Sequence, residues 1–177
     1  QQDGYQLIQG ADAALMPVGE NLKQAESGSL AERIAHWMAR NDHFANLLGI
    51  EVEAAKAGYC RATMVVRSDM LNSVALLHGG ATFALADFAF AVASNSHNTV
   101  AVGLDAHVSY TAAASLGERL VAVATELKLG KRTALYQVEV RNQHEKLLAH
   151  FTGHVFRRED SLSEWMNSQR PPQEKSQ

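Results

Sequence analysis

A chain of 177 residues and 19.3 kDa with 46% hydrophobic residues is sized for one domain around one real core, which excludes a disordered or fibrous protein. Sixteen Lys and Arg against 19 Asp and Glu give a formal charge of -3, far from the basic balance of a protein whose main partner is nucleic acid. The single cysteine, Cys60, excludes an internal disulfide and a multi-cysteine metal site; with no basic segment leading into an apolar run and cleavage site, a reducing cytoplasm is the expected home.

Residues 1–28 mix Gln, Asp, Gly and Ala without sustained periodicity and read as an arm outside the core. Ser29 followed by Glu32 has capping-box spacing, and Leu30, Ile34, Trp37, Met38, Phe44 and Leu47 follow at helical intervals. A packing helix over 30–47, broken around Asn41, is predicted. Ile50, Val52 and Ala54 alternate against acidic residues, Gly58 marks a turn, and a second strand runs from Tyr59 to Arg67. From Leu76 to Ser96 the chain predicts a central helix, apolar nearly all round and therefore enclosed by protein. Its most apolar part, 81–93, is too short to span a bilayer, so no membrane partner is expected. Four further runs, 100–112, 119–129, 133–141 and 147–157, are joined by connections short enough for antiparallel neighbours. The fold class is α+β, one antiparallel sheet of about five or six strands wrapped around one buried helix. The domain spans 29–158, and the polar stretch 159–177 reads as a mobile tail.

Chemistry concentrates between Met70 and Ser96. His78-Gly79-Gly80 precedes the apolar helix, and paired glycines there bring a ligand close to free amides at the positive end of the helix. Such amides polarise a carbonyl and stabilise the oxyanion formed when it is attacked. Asp87 is the only charged residue between Gly80 and His97, and a carboxylate among apolar neighbours costs several kcal/mol unless paired, solvated or used. It is the candidate general base or nucleophile. Gly79 and Asp87 are eight positions apart, about 12 Å on a helix. One carbonyl cannot touch both, so a site using both needs two chains with antiparallel helices. Asn72 is either a turn former or a polar group orienting substrate or water, and His78 supports the loop. His150 and His154 share a strand face about 13 Å apart, too far for one metal. Residues 119–158 carry eight basic and three acidic side chains, net +5, leaving -8 on the remainder; that asymmetry suits a small polyanion.

The order Asn72, His78-Gly79-Gly80, Asp87, followed by antiparallel strands, resembles the hotdog-fold thioesterases. The elements MLN, HGG, LAD, AFA and NS within 70–96, and the later LGKRTALYQVEVRNQ, are similar to the PaaI-type thioesterases of phenylacetic acid degradation. The resemblance covers roughly residues 40–158. It implies a long helix wrapped by a curved sheet, homodimers with one continuous sheet assembling into homotetramers, and hydrolysis of acyl-coenzyme A without metal or organic cofactor. Carried over, Asp87 is base or nucleophile, Gly79 the amide donor, and Asn72 and His78 supporting groups. Gly80 is a further candidate at the substrate, and charge matching alone makes Lys131, Arg132 and Arg157 the candidates for coenzyme A phosphates. Gly103 stands where some relatives hold the water with Ser or Thr. The implied substrate is aryl or (hydroxy)phenylacetyl-CoA. The alternatives are medium or long acyl chains, or an acyl-CoA-binding protein without turnover.

Overall fold

The computed structural model describes residues 28–168, so the arm expected over 1–28 lies outside the described residues apart from Gly28. Helix α1 (Leu30–Asn41) begins with a reciprocal box: Ser29 Oγ accepts the Glu32 N–H at 3.3 Å, and the Glu32 carboxylate accepts the Ser29 N–H at 2.7 Å. It buries Ala31, Ile34 and Ala35. The break falls at Asp42, whose carboxylate accepts the N–H groups of Phe44 and Ala45 at 3.0 and 2.9 Å and so starts α2 (His43–Leu48). Gly49, at φ 67°, ends α2 in a left-handed conformation that favours glycine.

Strands β1 (Glu51–Lys56) and β2 (Tyr59–Val65) form the expected hairpin. The chain then passes through a single turn of 3₁₀ helix (Ser68–Met70) and a loop into α3 (Gly79–Asn95). Strands β3 (Thr99–Tyr110), β4 (Arg119–Leu129), β5 (Thr133–Asn142) and β6 (Leu147–Ser161) follow, and α4 (Leu162–Ser168) closes the described chain. The six strands make one antiparallel sheet in the order β1-β2-β4-β5-β6-β3. Strand alternation directs side chains to the core: on β5, Ala134, Tyr136, Val138 and Val140 are buried, while the residues between them are partly open.

That inner face packs against α3, where Leu85, Ala86, Ala89, Val92 and Ala93 are fully enclosed. Frequent alanines let the helix lie close to the sheet, and larger gaps are filled by aromatic contacts of Phe90 with Tyr136 and Phe151, at 5.7 and 5.3 Å between ring centres. Each fully buried Leu or Phe of this kind stabilises the fold by about 1.5–3 kcal/mol. The far end of α3 is tied down by side chains. Asn95 Oδ1 accepts the Ala101 N–H at 3.0 Å, and Ser96 Oγ accepts the Gly58 N–H at 2.8 Å.

The structure departs from the sequence expectation at two boundaries. Helix α3 starts at Gly79 rather than Leu76, because residues 71–77 close into a hydrogen-bonded loop joined by a Leu71–Leu77 bridge. The stretch 159–168, expected as tail, continues β6 to Ser161 and then forms α4. Leu162 of α4 is buried, and Trp165 meets Trp37 of α1 edge-on at 6.1 Å between ring centres.

Among the described residues, strand β3 lies at an edge of the sheet, paired only with β6, and most of its length is exposed, including Val102 and Leu104. A long open edge with apolar side chains is a template for pairing with another chain.

Candidate active site

The loop before α3 is held by short-range bonds. Asn72 Oδ1 accepts the N–H groups of Val74 and Leu76 at 3.0 and 3.2 Å, and Ala75 takes a positive φ of 59°. The His78 N–H then donates to Met70 O at 2.9 Å, and the Leu77 N–H to Ala114 O at 2.9 Å. Asn72 is therefore a turn former through its oxygen. Its side-chain NH₂ has no acceptor among the described residues.

His78 is the N-cap of α3, and its Nδ1 accepts the Gly80 N–H at 2.8 Å. An accepting Nδ1 places the proton of the neutral ring on Nε2. The Gly80 amide is thereby used within the chain, whereas the Gly79 N–H has no acceptor among the described residues. It is the open donor at the positive end of a 17-residue helix.

Tyr110, at the end of β3, fixes this residue from the other side. Its hydroxyl donates to Gly79 O at 3.0 Å, and a Cβ at Gly79 would stand 3.3 Å from the Tyr110 ring. A tyrosine on a strand carries no sequence sign of such a role. Tyr110→Phe keeps the ring and removes the hydrogen bond. We expect kcat to fall roughly 2–10-fold with KM little changed, since a single neutral bond contributes about 0.5–1.5 kcal/mol. Active-site titration and thermal melting beside the kinetics separate this from a loss of folded protein, which would give the same fall in apparent kcat at unchanged KM.

Asp87 lies two turns along α3 from Gly79, and the structure does not bring the two together within one chain. The expectation of an enclosed carboxylate needs correction, because Asp87 is exposed in the single chain. It belongs to a stripe of α3, Gly80, Phe83, Asp87 and Ala91, which is the one face of the helix that the sheet leaves open. Surrounding protein nonetheless pushes the Asp87 carboxyl above the ordinary carboxylate range, chiefly by desolvation, with the charge of Asp42 adding to it. Gly103 of β3 leaves open space, its missing Cβ having only Phe90 within 4 Å, at 3.9 Å.

Beside the start of α3 lies a cavity of about 400 Å³ lined by Phe44, Leu47, Arg67, Met70, His78 and Gly80 among others. Helical spacing assigns Phe44 and Leu47 to the core; in the structure they are 59% and 67% exposed. The break at Asp42 is the reason. It starts a new helix, so positions after it do not continue the apolar face of α1.

The basic candidates gather at the opposite end of the molecule. Lys131, Arg132 and Arg157 line a second cavity of about 420 Å³ with Arg158, Glu159 and Asp160. Arg157 is engaged there, donating to Gly130 O at 2.6 Å and to Thr99 Oγ1 at 3.4 Å. It stands opposite Ala101 in the β3–β6 register, while Tyr110 at the other end of β3 reaches Gly79; nine strand positions separate those ends, about 30 Å. Within one chain, the cluster and the open amide do not share a site.

Other chemistry finds little support. Among the described residues no three His, Cys, Asp or Glu side chains are placed to hold a metal ion, and no helix is long and apolar enough to cross a membrane. Burial pushes the Cys60 thiol up to about 12, too high to supply a thiolate near neutral pH.

Known proteins match this arrangement. The Thioesterase superfamily pattern matches residues 75–149, from the loop before α3 into β6. The acyl-coenzyme A thioesterase PaaI of Escherichia coli is 39% identical over 119 residues, 67% of this chain and 85% of that protein. The structure of E. coli PaaI, from the phenylacetic acid degradation operon, superposes with a TM-score of 0.73 at 36% identity, over 75% of this chain and 96% of that one. Human acyl-coenzyme A thioesterase 13 is 31% identical over 109 residues, 60% of this chain and 78% of that protein. A Streptococcus mutans protein solved with bound acetyl CoA superposes with a TM-score of 0.62 at 26% identity, over 63% of this chain and 90% of that one. With this sheet and helix, and with the PaaI likeness running through both, the chain belongs to the thioesterase superfamily as a hotdog-fold acyl-coenzyme A thioesterase of the PaaI type.

Proposed function

We propose that the protein hydrolyses aryl-acyl thioesters of coenzyme A, (hydroxy)phenylacetyl-CoA above all, at a site shared by two chains. The observation that carries this reading is the open Gly79 N–H at the start of α3, with Asp87 exposed two turns along on the stripe of the helix that the sheet leaves open, in a sheet that has β3 at its edge. Antiparallel pairing of β3 with a second β3 would extend the sheet across both chains and set the two α3 helices antiparallel. It would bring the partner's Asp87 towards Gly79. It would also carry the partner's Lys131 and Arg132 from the far end of the strand to the helix start, where coenzyme A phosphates need positive charge. Two such dimers would make the tetramer.

In this site the thioester oxygen accepts the Gly79 N–H. The partner's Asp87 removes a proton from a water that adds to the carbonyl carbon, or its carboxylate adds directly and water cleaves the resulting anhydride. Either addition places negative charge on the oxygen held by Gly79, and collapse breaks the carbon–sulfur bond with coenzyme A leaving as thiolate. His78 holds the loop through its cap to Gly80, and Asn72 presents its free NH₂ to substrate or water. No cofactor is needed.

The likeness to PaaI, a protein of phenylacetic acid degradation, supports the aryl substrate, and the acetyl CoA bound by the S. mutans neighbour supports the coenzyme A moiety. The test is release of free thiol from phenylacetyl-, hydroxyphenylacetyl-, benzoyl-, short-chain and long-chain acyl-CoA. The highest kcat/KM is expected on the arylacetyl esters. Preference for long chains would reassign the substrate, and binding without turnover on every ester would overturn hydrolysis.

A further inference from the structure

The cavity beside α3 is held open by its own walls. Arg67 donates to the carbonyls of Leu47 and Leu48, both at 2.9 Å, and pairs with Asp69 at 3.1 Å, which pins the C-terminal end of α2 above the 3₁₀ turn. Large apolar side chains on a surface helix contribute little to the core. Here Phe44 and Leu47 stand open around a space of about 400 Å³, a size typical of small-ligand pockets.

The cavity adjoins the open amide. Gly79 is not itself among its lining residues, but His78 and Gly80 on either side of it are, so a carbonyl held by the Gly79 N–H would stand within one residue of the cavity wall. Such a carbonyl carries two substituents pointing away from each other. One is the sulfur with its amide-bearing pantetheine arm, and the other is the acyl body. The cavity wall is mostly apolar, with Phe44, Leu47, Leu48, Met70, Leu71 and Ala81. The Arg67 and Asp69 that share it are already paired with each other, and Arg67 also with the α2 carbonyls, so the amides of pantetheine find few partners there, and an unpaired amide away from water is costly. An apolar acyl body loses nothing there and gains by leaving water.

We infer that this cavity receives the acyl group of the substrate, and that Phe44 and Leu47 on α2 are the specificity-determining residues for a compact apolar group such as an aromatic ring. The inference rests on the reading of Gly79 as the carbonyl site. It places acyl selection on the chain that supplies the amide rather than on the one that supplies the carboxylate.

Binding tests this separately from turnover. The probes are coenzyme A and a non-hydrolysable ketone analogue of phenylacetyl-CoA, titrated calorimetrically into the parent, Leu47→Trp and Phe44→Ala. The parent should bind the analogue more tightly than coenzyme A. Leu47→Trp fills the space and Phe44→Ala removes a wall, and each should cut that preference roughly tenfold with the affinity for coenzyme A unchanged, a loss within the usual range for apolar pockets. Both side chains are exposed, so folding is not at stake. Equal weakening of both ligands, or of neither, would overturn the inference, as would a fall in oligomer mass by light scattering, which would make the patch an interface between copies. A parent that binds the analogue but hydrolyses no thioester would overturn the hydrolytic reading while leaving this one standing.

Discussion

Asp87→Asn should lower kcat on the preferred thioester by roughly 10²–10⁴-fold, the usual contribution of a positioned general base, with little change in KM. The amide is nearly isosteric and sits on an exposed stripe of α3, so the fold has no reason to change. Its thermal behaviour is informative too. Desolvation and the Asp42 charge raise the folded carboxyl above its unfolded value, so the folded state holds its proton to higher pH, and stability declines as pH rises through that raised value. At neutral pH the ionised Asp87 therefore costs stability, and Asp87→Asn should melt no lower than the parent. For the same reason, kcat/KM of the parent should fall on the acid side with a midpoint above the ordinary carboxylate range. Thiol release across pH, beside thermal melts of both proteins, checks all three. Near-parental turnover in the variant would remove Asp87 from the reaction, and a lower melting temperature would make it a structural group.

Legibility in the sequence follows the range of the interactions involved. The capping box at Ser29, the Gly58 turn and the strand runs are local patterns, and each element stands within a few residues of its expected place. The same holds for His78-Gly79-Gly80, where one residue caps, one amide is used and one is left open. What depends on the third dimension is not readable. Asp87 looks enclosed in the sequence because its neighbours along the chain are apolar, but on the helix it points along the stripe that the sheet does not cover. Phe44 and Leu47 match the period of α1 and lie beyond its end. The clustering of Lys131, Arg132 and Arg157 is visible in their charge, yet only the β3–β6 register shows that they stand at the far end from Gly79. The Tyr110–Gly79 bond joins residues 31 positions apart and leaves no local trace.

Gly79→Pro should reduce kcat by about 10²–10³-fold, the loss seen when one oxyanion donor is removed, because proline deletes the N–H and little else. The backbone suits it. Gly79 is the first residue of α3 and is not among the glycines with positive φ, and the first helical position favours proline. His78 before it has φ -62° and ψ 132°, the extended conformation that a residue preceding proline adopts. The added carbon meets the Tyr110 ring at 3.3 Å, so Gly79→Ala supplies the steric control and should cost only a few-fold. If alanine and proline lose activity equally, crowding against Tyr110 is the cause and the amide is no oxyanion donor. The same variants decide whether the site spans two chains. In a dimer of one Gly79→Pro chain and one Asp87→Asn chain, one site pairs an intact Gly79 with an intact Asp87 of the partner subunit, and the other site carries both lesions. Co-refolding the two inactive proteins should therefore restore about a quarter of parental activity, since half the dimers are mixed and each has one working site of two. A chain carrying both substitutions, refolded with either single variant, should restore nothing. A site contained within one chain would give no recovery in any mixture, because no chain in it retains both groups.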